Sequence, residues 1–319
     1  MDFDPIERPT DWDNELTWRP GTWRFAATLG VSVPRNMWEA AVHGNSAYEL
    51  YMRDRLPQAA KAVQRAMLGH AWPRWLGQLL FMTNGELEAR DFGRRVERPP
   101  FIYELPVDDP NADALIDLTE THAARVEKLL AAERQPTLFT FLPPDSLVDR
   151  SHSRHGYMVP KLPYYKICLP HEPGEPPLHL ARGLVHEYVH VLENELSGGE
   201  APRWLKEGLA QWADGELVDQ EEVDDLVLLP GEHPRLGQIE GLFSSDHSVD
   251  DEEMEYAYAA ALSAVTHLID RHGTWDVRDF LVRLKNEREG RAFKDAFGES
   301  ERAFEKAWHQ WLKKNPVED

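Results

Sequence analysis

Two histidines and a glutamate form the pattern His186-Glu187-x-x-His190, a spacing that can hold a metal ion. Residues four apart on an α-helix share one face, so both imidazoles can reach one ion while Glu187 borders the same cleft. Apolar residues occupy the other side of the predicted helix, at Leu178, Ala181, Leu184, Val185, Tyr188 and Leu192. The segment therefore predicts an amphipathic helix with a zinc site on its polar face.

The third protein ligand is predicted from the segment that follows. A catalytic zinc usually takes three protein ligands and a water, and Glu207, seventeen residues after His190, is our candidate for the third. Gly198-Gly199 can end the first helix in a left-handed cap, and Pro202 suits the start of a second helix. The second helix has Glu207 at the margin of a packing stripe and ends at Gly215; the stripe comprises Trp204, Leu205, Gly208, Leu209 and Trp212.

The segments His-Glu-Tyr-Val-His and Pro-Arg-Trp-Leu-Lys-Glu-Gly-Leu-Ala resemble those of gluzincin metallopeptidases, most closely the peptidase MA-like group. The predicted elements upstream are similar in order: a strand at 101–105, a helix at 112–132, a strand at 137–142 and a hairpin-like pair at 156–160 and 164–169. Downstream, Tyr258-Ala259-Ala260-Ala261 begins a stretch that ends at Gly273 and resembles a helix of that family. The resemblance covers residues 98–315.

The resemblance implies an α+β, zincin-like fold in which a small mixed sheet carries the active-site helix, followed by a C-terminal helical subdomain. We expect this peptidase domain to span residues 98–319, with a helical accessory domain of unreadable role at residues 1–97. The implied activity is zinc-dependent hydrolysis of peptide bonds in a peptide or protein substrate. An exposed edge strand near Tyr157 or Tyr164 would hold that substrate by main-chain pairing.

Roles follow for the residues around the predicted zinc. A zinc-activated water needs a neighbouring base, and Glu187 is predicted to take its proton and pass it to the leaving amine. In similar families a tyrosine on a later helix stabilises the oxyanion; Tyr258 aligns best, and Tyr256, on another helical face, is the alternative. Position 211 is Gln where relatives often place an acid that orients a histidine, so Glu193 or Asp214 is expected to substitute.

Two other function classes stay open at this point. One is a catalytically silent zinc-binding or peptide-binding protein of the same fold, which would hold zinc and cleave nothing. The other is a metal-free interaction scaffold that works through its helical arm. Measurements of zinc stoichiometry and peptide cleavage would distinguish these two classes from the peptidase.

The first 97 residues show helical patterns after an irregular start. Residues 1–35 are rich in Pro, Asp and Trp without a clear period, which predicts an ordered but irregular arm. Helices are predicted from Pro57 towards Gly69 and from Trp72 to Asn84-Gly85. A boundary is expected near residues 94–100, where charge and a Pro-Pro pair interrupt the pattern.

Composition limits the partners. A net charge of −21 and a pI near 5.1 argue against nucleic acid, which binds clustered Lys and Arg. We see neither a signal peptide nor an apolar run of 18 residues, which predicts a cytoplasmic protein without membrane contact. The single Cys168 excludes an internal disulfide, and the sequence does not predict an oligomeric state.

Two further groups of residues have more than one interpretation. The acidic segment 214–255 is interpreted as a solvated loop, with selection of Lys- or Arg-containing substrates as the alternative. His152, His155, His171 and His179 are interpreted as loop or surface histidines, because Glu207 already completes a familiar ligand set.

Overall fold

The structure is a computed structural model that describes residues 38–67, 74–91, 93–143, 156–160, 163–215, 234–244 and 251–313. These residues form a mixed α+β fold with one five-stranded sheet and ten α-helices. The helices are α1 (Trp38–Met52), α2 (Leu56–Met67), α3 (Arg74–Asp91), α4 (Ala112–Leu129), α5 (Ala181–Ser197), α6 (Arg203–Asp214), α7 (Leu236–Ser244), α8 (Asp251–Leu284), α9 (Glu289–Phe297) and α10 (Glu301–Leu312), with a 3-10 helix at Pro177–Leu180. The strands are β1 (Gly93–Arg98), β2 (Phe101–Pro106), β3 (Thr137–Leu142), β4 (Tyr157–Val159) and β5 (Tyr165–Pro170). The arm predicted at 1–35 lies outside the described residues.

The sheet has the strand order β1-β2-β3-β5-β4. Its three central strands, β2, β3 and β5, are parallel, while β1 and β4 pair antiparallel at the two edges. Helix α4 connects β2 to β3, as parallel neighbours require a crossover. The predicted strands at 101–105 and 137–142, the hairpin-like pair and the helix at 112–132 are confirmed.

Both faces of the sheet are covered by helices. Phe101, Phe139 and Ile167 point to the face that packs against α4 and α5 in the main hydrophobic core. The alternate residues Glu104 and Lys166 point to the other face, where α3 and its neighbours α1 and α2 lie. Helices α1 to α3 therefore cover the side of the sheet opposite α5, the helix that carries the histidines.

Two features near the predicted boundary differ from the sequence prediction. Strand β1 was missed because four of its six residues are charged, which hides the apolar alternation of a strand. It begins at Gly93 and pairs with β2. The β1–β2 hairpin therefore includes residue 97, the last residue of the expected accessory domain. The predicted helix end at Asn84-Gly85 is wrong: α3 continues to Asp91, because Glu86 beyond the glycine is buried against the sheet.

The C-terminal part is helical, as predicted. Helix α8 carries a break at Gly273, whose φ of 81° and ψ of 165° end the stretch that starts at Tyr258. Aromatic side chains of α9 and α10 close the core, including Phe293 and Trp308, whereas Trp275 is 65% exposed. None of the helices in the described ranges combines the length and apolar character needed to cross a membrane.

Candidate metal centre

Helices α5 and α6 present the predicted ligands. Helix α5 buries Leu184, Val185, Tyr188 and Leu192, as predicted, but Leu178 lies in the preceding 3-10 helix and is 73% exposed. That assignment was wrong because the proline pair at 176–177 delays the α-helix to Ala181. Gly198, with φ 67°, caps α5, and Gly215, with φ 91°, caps α6, which begins directly after Pro202. The short connection returns the chain to the histidines.

The three predicted ligands meet. Glu207 Oε2 lies 3.5 Å from His186 Nε2 and 3.7 Å from His190 Nε2. One donor atom from each residue lies within 4.8 Å of the other two. The side chains remain 17%, 13% and 22% exposed for His186, His190 and Glu207 respectively. Solvent therefore reaches the cluster, as a catalytic zinc site with an open position requires.

The charges of the cluster suit a cation. Burial disfavours the imidazolium of His186, but Asp214, Glu207 and Glu187 outweigh that effect and raise its pKa to about 10. Burial lowers the pKa of His190 to about 4, so its neutral ring has a free electron pair at pH 7. Burial also opposes ionisation of Glu207, yet the two histidines lower its pKa to about 2. In the metal-free site the protonated His186 balances the charge of Glu207, and a divalent ion would take the place of that proton.

Asp214 lies beside one of the histidines. Its Oδ2 lies 3.7 Å from His186 Nδ1, and its Oδ1 lies 3.3 Å from Arg182. A carboxylate on Nδ1 leaves Nε2, which faces Glu207, as the metal-binding nitrogen. Of the two substitutes expected for Gln211, Asp214 is the one that lies next to His186, whereas Glu193 pairs with Lys206 at 3.4 Å. Asp214 is the last residue of α6 and not part of an acidic loop.

Glu187 lies beside the ligands without belonging to their cluster. It is 6% exposed and accepts a hydrogen bond from the backbone N–H of Met158 in β4. Burial raises its pKa to about 7, with Glu207 adding to the shift and His186 opposing it. A carboxyl group with a pKa near neutrality can both accept and return a proton, as a general base in hydrolysis must.

Tyr258, not Tyr256, faces the cluster. The carboxylate of Glu207 raises the pKa of Tyr258 well above its usual value, and burial and the carboxylate of Glu187 add to the shift. The pKa of Tyr256 is raised by burial alone. The Tyr258 ring packs edge-on against Phe243 of α7 at 5.1 Å between centroids.

Gly208 brings α8 close to α6, a role that the sequence prediction missed. A Cβ at this position would lie 2.4 Å from the carbonyl oxygen of Ala261 and 2.7 Å from its carbonyl carbon. Only a residue without a side chain permits this approach, and Ala261 lies one turn after Tyr258. The glycine next to the ligand Glu207 therefore sets the distance to the helix that carries the phenol. The sequence pattern places Gly208 in the packing stripe of this helix and does not identify its close approach to another helix.

Helix α7 is joined to the start of α6 by one carboxylate. Glu240 Oε2 accepts hydrogen bonds from the backbone N–H groups of Arg203 and Trp204, at 2.6 and 3.3 Å. Pro202 offers no side-chain cap, so Glu240 satisfies these free donors and complements the helix dipole. No sequence pattern indicates this contact, because Glu240 follows Arg203 by 37 positions and Trp204 by 36.

Strand β4 is the sheet edge next to the candidate centre. It packs against α5, and within the described part of the sheet it pairs only with β5. Gly156, with φ 128°, lets the chain enter β4 close to Glu187, since a Cβ there would lie 3.5 Å from Glu187 Cγ. Of the two tyrosines proposed to mark a substrate strand, Tyr157 lies in this edge strand, while Tyr164 precedes β5 and donates a 2.5 Å hydrogen bond to Asp54.

Behind β4, charged side chains are buried between the sheet and the N-terminal helices. Lys166 and Glu86 are fully buried and form an ion pair at 2.7 Å, and Glu104 lies 3.6 Å from the same ammonium. Tyr51 and Tyr157 also donate to Glu86. The hydroxyl of Tyr157 thereby fixes β4 from the face opposite the candidate centre.

Comparison with known proteins gives no relative to argue from. No family model matches the chain, and neither a curated protein nor a solved structure matches it significantly. His152, His155 and most of the acidic segment, at 216–233 and 245–250, lie outside the described residues. The function is therefore argued from the geometry of the described site.

Proposed function

We propose that this chain is a zinc-dependent peptidase of the zincin-like type, with His186, His190 and Glu207 as ligands. One observation carries the proposal: two imidazoles and a carboxylate converge within 4.8 Å, and a second carboxylate and a phenol lie beside them. A structural zinc site usually takes four protein ligands and needs neither a base nor a phenol beside them. The additional Glu187 and Tyr258 match the two roles that hydrolysis requires beyond the metal, a base and an oxyanion donor.

The donor set fits zinc. Zinc accepts imidazole nitrogen and carboxylate oxygen, and catalytic sites take three such ligands, often two histidines and one glutamate. His190 is neutral because of its burial, Glu207 is ionised, and Asp214 holds the Nδ1 side of His186. The partial exposure of the three side chains leaves room for water or substrate. All three ligands come from two helices that pack directly against each other.

The protein residues supply the proton transfers and the charge stabilisation. When bound, zinc would polarise the scissile carbonyl and lower the pKa of a coordinated water to near 7. Glu187 accepts the proton of the attacking water, helped by its raised pKa, and then delivers it to the departing amine. The Tyr258 hydroxyl stays protonated at neutral pH and donates a hydrogen bond to the developing oxyanion.

The proposed substrate is an extended peptide or a peptide segment of a protein. Strand β4 is an edge strand beside Glu187, so a substrate strand added at this edge would bring its carbonyl to the cleft. The unpaired backbone groups of an edge strand bind any sequence, and side-chain pockets then give preference.

Zinc content tests the ligand assignment. Purified protein should hold zinc, and His190→Ala and Glu207→Gln should each weaken its binding at this centre strongly, because two ligands alone make a weak site. Glu200→Gln, which alters an exposed carboxylate in the connection between the two helices, is the control and should keep the parental content. If Glu207→Gln binds zinc like the parent, the third ligand lies elsewhere and the proposal fails.

Turnover tests the chemistry separately. Glu187→Gln should keep zinc and fold while losing nearly all cleavage of an unbiased peptide library, since an amide cannot accept the proton. Parent protein that binds zinc fully but cleaves nothing in the library would instead identify a silent zinc-binding or peptide-binding protein. Parent protein without zinc would favour a metal-free scaffold.

A further inference from the structure

A second group of histidines and a carboxylate lies before the candidate metal centre in the chain. His171, Glu175 and His179 offer one donor atom each within 4.8 Å of one another. They lie on the loop from β5 to α5, which continues into the 3-10 helix Pro177–Leu180. The prediction that His171 is an ordinary loop or surface histidine is wrong in one respect, since the residue is 1% exposed.

His171 has one nitrogen occupied and one without a partner. Its Nε2 lies 2.6 Å from Asp109 Oδ2. The other oxygen of this carboxylate accepts hydrogen bonds from the backbone N–H groups of Asn111 and Gly174, so the carboxylate acts as an acceptor and Nε2 of the neutral ring carries the hydrogen. Nδ1 then has a free electron pair, is buried, and has no hydrogen-bond partner among the described residues. A buried acceptor without a partner destabilises the folded state, and a bound ion would remove that penalty.

His179 also has one ring nitrogen next to an oxygen, but here that nitrogen is Nδ1. Its Nδ1 lies 2.5 Å from the carbonyl oxygen of Pro176. Because a carbonyl only accepts, Nδ1 carries the hydrogen, and Nε2 is left with an electron pair. This Nε2 lies 3.5 Å from Glu175 Oε2, and the rings of His171 and His179 are stacked with centroids 6.0 Å apart. Each ring is therefore oriented by an oxygen on one nitrogen, as metal-binding histidines usually are.

The loop is held in place before any ion binds. Asp109 Oδ1 accepts hydrogen bonds from the backbone N–H groups of Asn111 and Gly174, at 2.9 and 3.1 Å. The side chain of Asn111 donates to the carbonyl of Glu175 at 2.8 Å. Three prolines at positions 173, 176 and 177 further restrict the backbone. Little conformational entropy would be lost when the three side chains close on an ion.

We propose that His171 Nδ1, Glu175 and His179 Nε2 bind a second zinc ion, which ties the loop after β5 to the start of α5. Two imidazoles and one carboxylate form a donor set that zinc accepts, and the exposure of Glu175 and His179 leaves the remaining position to water. This site is distinct from the candidate metal centre and does not depend on the proposed peptidase function. His179 precedes His186 by two turns, so an ion here would stabilise the end of α5 that leads into the cleft.

The experiment counts zinc in protein lacking one site at a time. We expect two equivalents of zinc in the parent, one in His190→Ala, one in His179→Ala and none in the double variant. His179 and Glu175 are exposed, so substituting them should leave folding in EDTA unchanged, whereas His171 is too buried to serve as a first test. Glu172→Gln is the matched control, because it alters an exposed carboxylate of the same loop that lies outside the cluster.

A second readout uses stability and affinity. In the His190→Ala background, added zinc should raise the unfolding temperature, and His179→Ala or Glu175→Gln should abolish that rise. Competition with a chromophoric chelator should show binding at least about 100-fold weaker in either variant, more than the loss of a side chain that only orients a ligand usually costs. If His179→Ala binds as much zinc as its parent, or if Glu172→Gln weakens binding equally, the proposal is overturned. Failure of the peptidase proposal would appear elsewhere, as zinc content that His190→Ala leaves unchanged.

Discussion

Replacing Gly208 by alanine should separate α6 from α8 and so test how the phenol is positioned. The new Cβ would lie 2.4 Å from the backbone oxygen of Ala261, about 1 Å closer than the 3.4 Å at which ordinary contact begins. The obstacle is backbone, which cannot rotate away, so one helix must move by a distance of that order. Tyr258, one turn from Ala261, would move with α8.

The expected cost follows from two opposing effects. Overpacking of a core costs about 1–3 kcal/mol, and alanine regains up to about 1 kcal/mol of helix propensity over glycine. Gly208→Ala should therefore lower the free energy of unfolding by about 1–2 kcal/mol. A displacement near 1 Å of a catalytic group can cost about 100-fold, and kcat should fall by that order. Zinc content should stay parental, since the three ligands come from α5 and α6.

Urea denaturation, metal analysis and peptide turnover measure the three effects. Gly241→Ala is the control: this glycine lies inside α7, and no described atom comes within 4 Å of a Cβ built there. It should stabilise the protein slightly or leave it unchanged. Gly208→Ala protein that is as stable and as active as the parent would refute the idea that close packing at this position sets the site.

Three further predictions concern titratable groups. Tyr258→Phe should lower kcat by about 10²- to 10³-fold at unchanged zinc content and KM, and Tyr256→Phe should do much less; the reverse order in steady-state kinetics would place the wrong tyrosine in the site. Only ionised Glu187 accepts a proton, and bound zinc would lower its pKa from about 7. The value of kcat/KM should therefore fall as the pH decreases below neutrality. An increase in kcat/KM between pH 7 and pH 5 would contradict this role. Burial raises the pKa of Glu193 from 4.5 to about 7, against the opposing effect of Lys206, so the folded state favours the protonated acid and its stabilisation is lost as pH rises through 7. Glu193→Gln should thus be up to about 3 kcal/mol more stable than the parent at pH 8, with no such gain at pH 4, in denaturant unfolding of metal-free protein; an equal gain at both values would exclude the titration.

The structural elements that depend on short-range sequence patterns could be predicted. Helices α5 and α6, their glycine caps and the margin position of Glu207 follow from spacings within about thirty residues, and the structure brings His186, His190 and Glu207 together. Central strands were predicted because their apolar runs end at prolines. The contacts of Asp214 with His186 and of Met158 with Glu187 join distant positions, so the sequence offered at most candidates for them.

Other errors have equally local causes. Strand β1 is charged because it is an edge strand with solvent on one side, and its pairing with β2 replaces the missing apolar pattern. Helix α3 continues through Asn84 and Gly85 because the buried contact of Glu86 with Lys166 outweighs the local preference for a turn. His171 and His179 were interpreted as loop or surface histidines, because their proximity and the contact of His171 with Asp109 become visible only in the structure.

The buried ammonium of Lys166 bears on how small a working fragment of this protein can be. Its partner Glu86 and the helices that exclude water from the pair all come from residues 38–91, whereas Lys166 itself belongs to β5. Excising the N-terminal segment would remove Glu86, leave Glu104 at 3.6 Å as the partner of the ammonium, and expose both charges to solvent. Because this buried ion pair joins residues 38–91 to β5, we expect a fragment without residues 38–91 to be less stable than the whole chain.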